Sequence, residues 1–300
     1  MAGKKLRGIY AMLVTPFNSN EDIDYDALRA EVDWCAEVGV DGIVATPSIG
    51  EFACLTNEER WKSWEVAGEQ ADKHGLTKLC TVAAPYTREV LEHCKVAKEL
   101  KFDGAQLIPP YYWIPDETEV YRHYQEACAT GLPIVIYHNP KLSKFFMSRE
   151  FVGKLTKIDG VIGMKEVMTD RHIHLESLFK EIDGRAPVFT TFRAFTTGML
   201  LGSGGGFINA FAVPACVKMW QLWNNGGDRD RIEAIQCMVN EAFPRGGEDN
   251  QRHIGTTKMV TSTVSGINMG SPRAPYMLPE AHVEAELKKA LPKLNELLQD

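Results

Sequence analysis

Eight short apolar runs, rich in Val, Ile, Leu and Ala, recur along the sequence with helical stretches between them. Strands buried on both faces form such continuous runs, and their alternation with helices is typical of a parallel sheet. The runs lie at residues 9–14, 42–46, 78–83, 105–108, 134–137, 161–164, 188–190 and 207–209. This pattern, without a compositional break, predicts an α/β fold, a (β/α)8 TIM barrel with a C-terminal helical extension. An open, doubly wound sheet is the alternative architecture.

The length of the chain, 300 residues, suits one α/β barrel and does not require a second domain. We expect residues 1–215 to form the barrel core, and residues 216–300 to supply a barrel-closing helix and a C-terminal helical region of the same domain. Breaks at residues 243–247 and 270–275 interrupt that region. We expect it to cap the barrel or to form an oligomer surface.

Local signals at helix ends support this alternation. The spacing of apolar residues predicts helices at residues 26–38, 57–74, 88–100 and 117–129. Asp-Gly dipeptides precede three of the runs, and we expect each glycine to end the helix before it, at residues 41–42, 103–104 and 159–160. Asn57 is the expected N-cap of the second helix.

Composition argues against several classes of function. The formal net charge of −7 is opposite to that of a nucleic-acid-binding domain. No run approaches the roughly 18 apolar residues of a membrane span, and the basic N-terminus lacks the long apolar segment of a secretion signal. We therefore expect a cytoplasmic protein without a membrane partner. The seven cysteines are isolated, which predicts reduced thiols. His172 and His174 lack a third ligand nearby, so we expect no metal.

Polar residues follow the apolar runs at the points where the catalytic groups of a barrel collect. Lys165 comes directly after residues 161–164, and burial there would favour the neutral amine, which attacks carbonyl groups. Tyr137 ends the neighbouring run, and its phenol can move protons during that attack. A lysine paired with Glu166, and a tyrosine with a solvated hydroxyl, are the alternative interpretations.

Two other strand ends carry groups that suit a keto acid. Ser48 follows the second run with a hydroxyl that can relay protons. The turn Ser48-Ile49-Gly50 can present backbone N–H groups to a carboxylate. Asn209 ends the eighth run with a polar amide.

Together these residues resemble the dihydrodipicolinate synthase and N-acetylneuraminate lyase superfamily over residues 8–270. The matching motifs, in chain order, are the loop at residues 47–51, Tyr111-Tyr112, Tyr137, the Gly-x-Lys-x motif at residues 163–166 and the glycine-rich segment 202–206. The resemblance implies a homotetramer, a dimer of dimers, in which Lys165 forms an imine with pyruvate and no other cofactor is used. It also implies Tyr137 as general acid/base, and a proton relay through Ser48 and a Tyr112 donated by a neighbouring subunit. The iminium would act as the electron sink.

Two departures from the pattern bear on the substrate. Ile49 replaces the second hydroxyl of the family's loop. Leu142 stands five residues after Tyr137, where the dicarboxylate-binding synthases have an arginine, and the nearby Lys141 and Lys144 are poor substitutes for a guanidinium fork. Dihydrodipicolinate synthesis is therefore disfavoured.

Three segments, residues 137–145, 243–246 and 273–276, are more similar to the hydratase-aldolases that cleave benzylidenepyruvates. That branch implies addition of water across the enone of an imine-bound substrate, followed by retro-aldol release of an aldehyde and pyruvate. Asn139 or His138 would position the water or the aldol hydroxyl. The expected binding residues also include Ile49, Gly50, Asn209 and the aromatic residues Trp113, Phe145, Phe146 and Phe211, half of which can equally be packing residues.

Other functions remain open. One alternative is dihydrodipicolinate synthase, or an aldolase or dehydratase of 2-keto-3-deoxy sugar acids. Another is a barrel that binds a keto acid without catalysis. Lys165 and Tyr137 argue against mere binding, since binding needs neither an amine nucleophile nor a phenol.

Overall fold

The computed structural model describes residues 6–168, 171–243 and 252–299. Its strands are β1 (Gly8–Met12), β2 (Gly42–Ala45), β3 (Thr77–Thr81), β4 (Gly104–Leu107), β5 (Ile134–His138), β6 (Val161–Glu166), β7 (Val188–Thr190) and β8 (Gly205–Asn209). They form a closed parallel barrel in which each strand lies beside the next one in the chain. The predicted (β/α)8 barrel is confirmed. Every residue of β1 to β5 is buried. This is typical of a parallel sheet that is covered on both of its faces.

The described helices are α1 (Tyr25–Val38), α2 (Asn57–Lys73), α3 (Thr87–Glu99), α4 (Glu117–Ala129), α5 (Pro140–Ser143), α6 (Arg149–Leu155), α7 (His172–Ile182), α8 (Phe195–Leu200), α9 (Val213–Asn224), α10 (Arg229–Ala242), α11 (His253–Ser265) and α12 (Ala281–Leu298). The four helices predicted from spacing agree with α1 to α4 to within one residue at each end. The first predicted break, at residues 243–247, and the segment 243–246 that is similar to the hydratase-aldolases lie outside the described residues except for Phe243. None of the described helices combines the length and apolarity that a membrane span requires.

The predicted N-cap of α2 and the helix ends predicted at the Asp-Gly dipeptides are wrong by one to five residues. The N-cap of α2 is Thr56 rather than Asn57, because the Thr56 hydroxyl accepts from the Glu59 N–H while the Glu59 carboxylate accepts from the Thr56 N–H. This reciprocal pair is a capping box. Helix α1 ends at Gly39, in a left-handed conformation with φ of 95°, and Gly42 is instead the first residue of β2.

All three Asp-Gly dipeptides lie where a strand starts and not where a helix ends, because α1, α3 and α6 end earlier, at Val38, Glu99 and Leu155. Asp41 accepts a hydrogen bond from the Ile9 N–H at 2.8 Å, and Asp103 accepts one from the Lys78 N–H at 2.9 Å. Gly104 is required by close packing, since a Cβ there would lie 2.9 Å from a neighbouring backbone carbonyl oxygen. Each aspartate thus ties the start of one strand to the loop before the next.

The chain divides into two compact units. The first comprises Thr77–Phe207 with the chain up to Gly8, and the second comprises Ile9–Leu76 and Ile208–Asp300. Each unit buries large side chains of its own: Tyr124, Phe151 and Phe189 in the first, and Tyr10, Trp64 and Phe243 in the second. The boundary expected at residue 215 stays a prediction.

The register of β5 and β6 decides which side chains share a face. Tyr137 is the Cα partner of Lys165, and His138 is the partner of Glu166. Side chains alternate along a strand, so the first pair lies on one face of the sheet and the second pair on the other. Glu166 contacts His174 on α7, which places the Glu166 face toward the helices. Tyr137 and Lys165 therefore point into the barrel.

Candidate active site

Lys165 is buried on the inner face of β6, one residue before the strand ends. Burial lowers the pKa of its amine to about 7, because a low-dielectric surrounding disfavours the charged ammonium form. A substantial fraction of the amine is therefore neutral at pH 7 and able to act as a nucleophile. The alternative of a Lys165–Glu166 ion pair is not favoured, since the Glu166 carboxylate lies on the opposite face with partners of its own.

Tyr137 lies directly beside this amine. The Lys165 Nζ atom is 4.2 Å from the centroid of the Tyr137 ring, and the tyrosine is buried rather than solvated. The Tyr137 hydroxyl accepts a hydrogen bond of 2.8 Å from the Asn139 side-chain amide. This bond orients the phenol.

Asn139 also offers an acceptor of its own. Its Oδ1 atom is buried and has no hydrogen-bond partner among the residues that the structure describes. A buried amide oxygen without a hydrogen-bond partner is unfavourable, and a hydrogen bond from a bound molecule would remove this free-energy cost. Asn139 can therefore hold the phenol with one atom and a hydroxyl or water with the other.

The second unit contains the loop of Ser48, Ile49 and Gly50, which forms a short 3-10 turn after β2. The Ser48 Oγ atom is buried without a partner among the described residues, and Ile49 is buried as well. Gly50 packs so closely that a Cβ would lie 2.8 Å from the Leu13 carbonyl oxygen. The loop is thus tightly constrained, and its hydroxyl is open to a further hydrogen bond.

Two residues with positive φ flank this loop, Thr46 at 44° and Glu51 at 59°. This left-handed backbone conformation costs free energy for residues other than glycine, and it persists only where contacts with neighbouring residues stabilise it. The Trp64 Nε1–H donates to the Thr46 hydroxyl at 2.7 Å. Lys258 holds Glu51, since the Lys258 Nζ atom lies 2.9 Å from the Glu51 Oε1 atom.

The Glu51–Lys258 pair is a feature that the sequence analysis missed. Both side chains are buried, and Lys258 also donates to the Ser271 carbonyl oxygen at 2.9 Å. Burial lowers the pKa of Lys258 to about 8 and raises the pKa of Glu51, in each case against the effect of the opposite charge. The sequence holds one indication of this pair. Glu51 lies in the loop after β2, and a buried carboxylate there requires a positively charged partner from elsewhere in the chain.

His138 has its ring on the outer, helix-facing side of β5. Its Nδ1 atom lies 2.7 Å from Glu166 Oε2, and its Nε2 atom accepts the Met147 N–H at 3.1 Å. Both ring nitrogens of His138 are therefore engaged within the protein. Glu166 also accepts from His174 at 3.3 Å and from the Met168 N–H at 2.6 Å. Burial raises the pKa of Glu166, but these hydrogen bonds outweigh it and the net shift is downward.

The same three side chains form a possible metal-ligand set, because their ligating atoms in His138, Glu166 and His174 lie within 4.8 Å of one another. The Met147 N–H bond to Nε2 fixes the proton of the neutral His138 ring on Nδ1. That nitrogen then donates to Glu166 and is unavailable to a metal. The hydrogen bonds favour a proton-bearing network here, and the expectation of no metal stays a prediction.

The remaining site candidates are placed differently. Tyr112 and Trp113, after β4, are 68% and 81% exposed, with their rings 5.3 Å apart. Phe146 is partly exposed over the His138 ring. Phe145 packs on Phe151, and Phe211 packs on Phe243. Asn209, at the end of β8, is partly exposed. Phe145 and Phe211 are buried, whereas Trp113 and Phe146 are exposed.

A family-wide sequence pattern covers almost the whole chain: the model of the dihydrodipicolinate synthetase family matches residues 5–293. The chain belongs to this family. An uncharacterised DapA-like lyase from Thermococcus kodakarensis is 30% identical in sequence, over 95% of this chain and 99% of the length of the relative. The 4-hydroxy-tetrahydrodipicolinate synthase of Methanosphaera stadtmanae is 31% identical over 79% of this chain and 81% of its own.

The fold of this family member agrees with solved structures. YagE, a prophage protein of E. coli K12 from the dihydrodipicolinic acid synthase family, was solved in complex with pyruvate. It superposes with a TM-score of 0.88 over 96% of this chain and 98% of its own, at 23% identity. The family assignment confirms the resemblance to the dihydrodipicolinate synthases seen in the motifs.

Proposed function

We propose that the protein is a class I lyase that forms an imine between Lys165 and pyruvate. The observation that carries this proposal is the buried Lys165 amine, whose pKa burial lowers to about 7, beside the Tyr137 phenol. A barrel that only bound a keto acid would gain nothing from a neutral amine at this position. The pyruvate complex of YagE supports pyruvate as the keto acid.

In the proposed mechanism the neutral Lys165 amine attacks the keto carbon. A C–N bond forms, the nitrogen gives up a proton and the carbonyl oxygen takes one up. A second proton then lets this oxygen leave as water while the C=N bond of the iminium forms. Tyr137 gives and takes these protons, and the Asn139 amide stabilises the phenolate that appears between them. The iminium withdraws electrons from the neighbouring carbon, so that a C–C bond can break without a metal.

The family resemblance extends the proposal to other residues. Ser48, Ile49 and Gly50 would hold the pyruvate carboxylate through backbone N–H groups and the serine hydroxyl. The exposed Tyr112 would complete the proton relay from a neighbouring subunit of a homotetramer, a dimer of dimers. Its exposure in the single chain, 68%, supports a role that is completed on assembly.

For the second substrate we propose an arylidenepyruvate, cleaved by a hydratase-aldolase reaction. Water adds its hydroxyl to the aryl-bearing carbon of the enone and a proton to the carbon next to the iminium. Retro-aldol cleavage then breaks the bond between these two carbons: the aldol hydroxyl gives its proton to the Tyr137 phenolate as the aldehyde carbonyl forms, and the electrons of the broken bond pass into the enamine of pyruvate. Protonation and hydrolysis of the imine free Lys165.

Two observations support this substrate. The unpartnered Oδ1 atom of Asn139 lies on the residue that holds Tyr137, where a water or the aldol hydroxyl would be needed. Leu142, where an arginine would clamp a second carboxylate, is apolar and 46% exposed. An aldehyde without a carboxylate suits this position better than aspartate semialdehyde. The alternative reaction is dihydrodipicolinate synthesis, because one relative is a 4-hydroxy-tetrahydrodipicolinate synthase.

A product assay tests the substrate. The protein is incubated with benzylidenepyruvate, and benzaldehyde and pyruvate are quantified, with Lys165→Ala as the control that must be inactive. A second series offers pyruvate with aspartate semialdehyde, or with sugar-derived aldehydes. We expect equal release of benzaldehyde and pyruvate. Turnover of aspartate semialdehyde without any of the aromatic substrate would overturn the substrate assignment and leave the imine chemistry in place.

A further inference from the structure

Two side-chain pairs stand at consecutive positions of the β5–β6 register, on opposite faces of the sheet. Tyr137 and Lys165 form the inner pair, and His138 and Glu166 form the outer pair. The inner pair is the proposed catalytic pair, whereas the outer pair faces α7 and is fully buried. The outer pair has no part in the mechanism described above.

The register between these strands contains an irregularity. Ile134 pairs with Val161, but the next residue, Val135, pairs with Gly163, so that Ile162 is an extra residue in β6. A bulge of this kind changes which residues of a strand face inward. Since a shift by one residue moves every side chain to the other face, the side that Lys165 faces depends on where this irregularity is held.

The hydrogen bonds of the outer pair favour the observed β5–β6 register over a register shifted by one residue. In the observed register the Glu166 carboxylate accepts from His138, His174 and the Met168 N–H. In a register shifted by one residue, Glu166 would point into the barrel and lose His138 and His174, the donors supplied by β5 and α7, while Lys165 would face the helix side. Burying a carboxylate without donors is strongly unfavourable. His138 is itself held in place by the Met147 N–H.

The geometry points to His138 and Glu166 as a register lock that fixes Lys165 and Tyr137 on the inner face of the barrel. Both are positioning residues, because they act through the strands rather than by touching the substrate. This inference rests on the proposed imine chemistry of Lys165. It assigns the buried His138–Glu166–His174 network to the alignment of the active site.

The test replaces both members of the pair by apolar residues of similar size, His138→Leu together with Glu166→Leu, so that no buried charge is left unpaired. Borohydride reduces the imine to a stable amine, and the pyruvyl groups per chain are counted by mass. We expect a folded variant that is trapped incompletely, with kcat lowered about a hundredfold, as expected for a catalytic group displaced by about 1 Å. A matched control removes another hydrogen-bonded polar pair of the same unit, the half-buried Thr87 and the buried His123, by Thr87→Val with His123→Leu. It should be trapped fully.

Single variants keep the test informative if the double variant does not fold. His138→Asn retains an N–H donor near the Nδ1 position and should be trapped at the rate of the wild type, whereas His138→Leu should react much more slowly. Complete trapping of the double variant, or of His138→Leu, at the wild-type rate and with unchanged kcat would overturn the lock. Failure of the wild-type protein to be trapped would instead overturn the proposed imine.

Discussion

The Lys165 amine lies 4.2 Å from the centroid of the Tyr137 ring, and the two residues are Cα partners on adjacent strands of the barrel. The nucleophile and the proposed acid/base are therefore held by the sheet itself and not by mobile loops. Sites built on strands keep their geometry more accurately than sites built on loops. The consequences for pH, stability and specificity can each be measured.

The rate of imine formation should depend on pH through the Lys165 amine. Because burial lowers the pKa of this amine to about 7, the neutral nucleophile predominates above that pH and is lost below it. The rate of borohydride trapping with pyruvate should therefore rise from pH 6 to pH 8 and then level off. A rate that keeps rising toward pH 10, as for a solvated lysine, would contradict this assignment.

Lys165 should also destabilise the folded protein. A lysine that titrates near 10.4 when unfolded but at about 7 when folded lowers stability by about 4 kcal/mol at pH 7. The unfolded state binds more protons between these two values, so this loss diminishes as the pH rises from 7 to 10. We expect Lys165→Met to unfold at higher urea concentration than the wild type at pH 7. Equal or lower stability of the variant would count against a desolvated amine.

Removing only the Tyr137 hydroxyl should affect the chemistry more than the fold. Tyr137→Phe keeps the buried ring beside Lys165 but removes the group to which Asn139 donates. General acid/base groups contribute about 10²- to 10⁴-fold in rate, and we expect trapping with pyruvate to slow by that range. The melting temperature serves as the control and should change little. Trapping at the wild-type rate would show that another group moves the protons.

The pair of Glu51 and Lys258 should matter mainly for stability. Lys258→Met leaves the buried Glu51 carboxylate without its cation, and breaking such a pair typically costs about 3–5 kcal/mol. Replacing both members, with Glu51→Leu added, should recover much of the loss. Urea unfolding of the two variants measures the difference. If the single variant were as stable as the double one, the pair would have no such role.

Leu142 offers a test of specificity. Leu142→Arg restores the guanidinium found at this position in the dicarboxylate-binding synthases, and charged hydrogen bonds contribute about 1.5–3 kcal/mol. We expect turnover of aspartate semialdehyde to improve about tenfold or more relative to that of an aromatic aldehyde. The ratio of kcat/KM for the two aldehydes is the measurement, with Leu142→Met as the control that adds no charge. An unchanged ratio would mean that Leu142 does not face the aldehyde.

The sequence is sufficient to predict the barrel, the inner strand ends and the pair of Lys165 and Tyr137, because each follows from a short apolar run and the residue next to it. The N-cap at Thr56 was missed by one residue, since the capping box there is recognised only with its Glu59 partner. The outer network could not be predicted in this way. His138 meets Glu166, and Glu51 meets Lys258, only through strand register and long-range packing, which no local pattern specifies.

Borohydride reduction in the presence of pyruvate, followed by peptide mass mapping, shows whether Lys165 forms the imine. One reduced pyruvyl group per chain should appear on the peptide that contains Lys165, and Lys165→Ala should carry none. An unmodified Lys165, or a pyruvyl group on another lysine that persists in Lys165→Ala, would contradict the proposed chemistry.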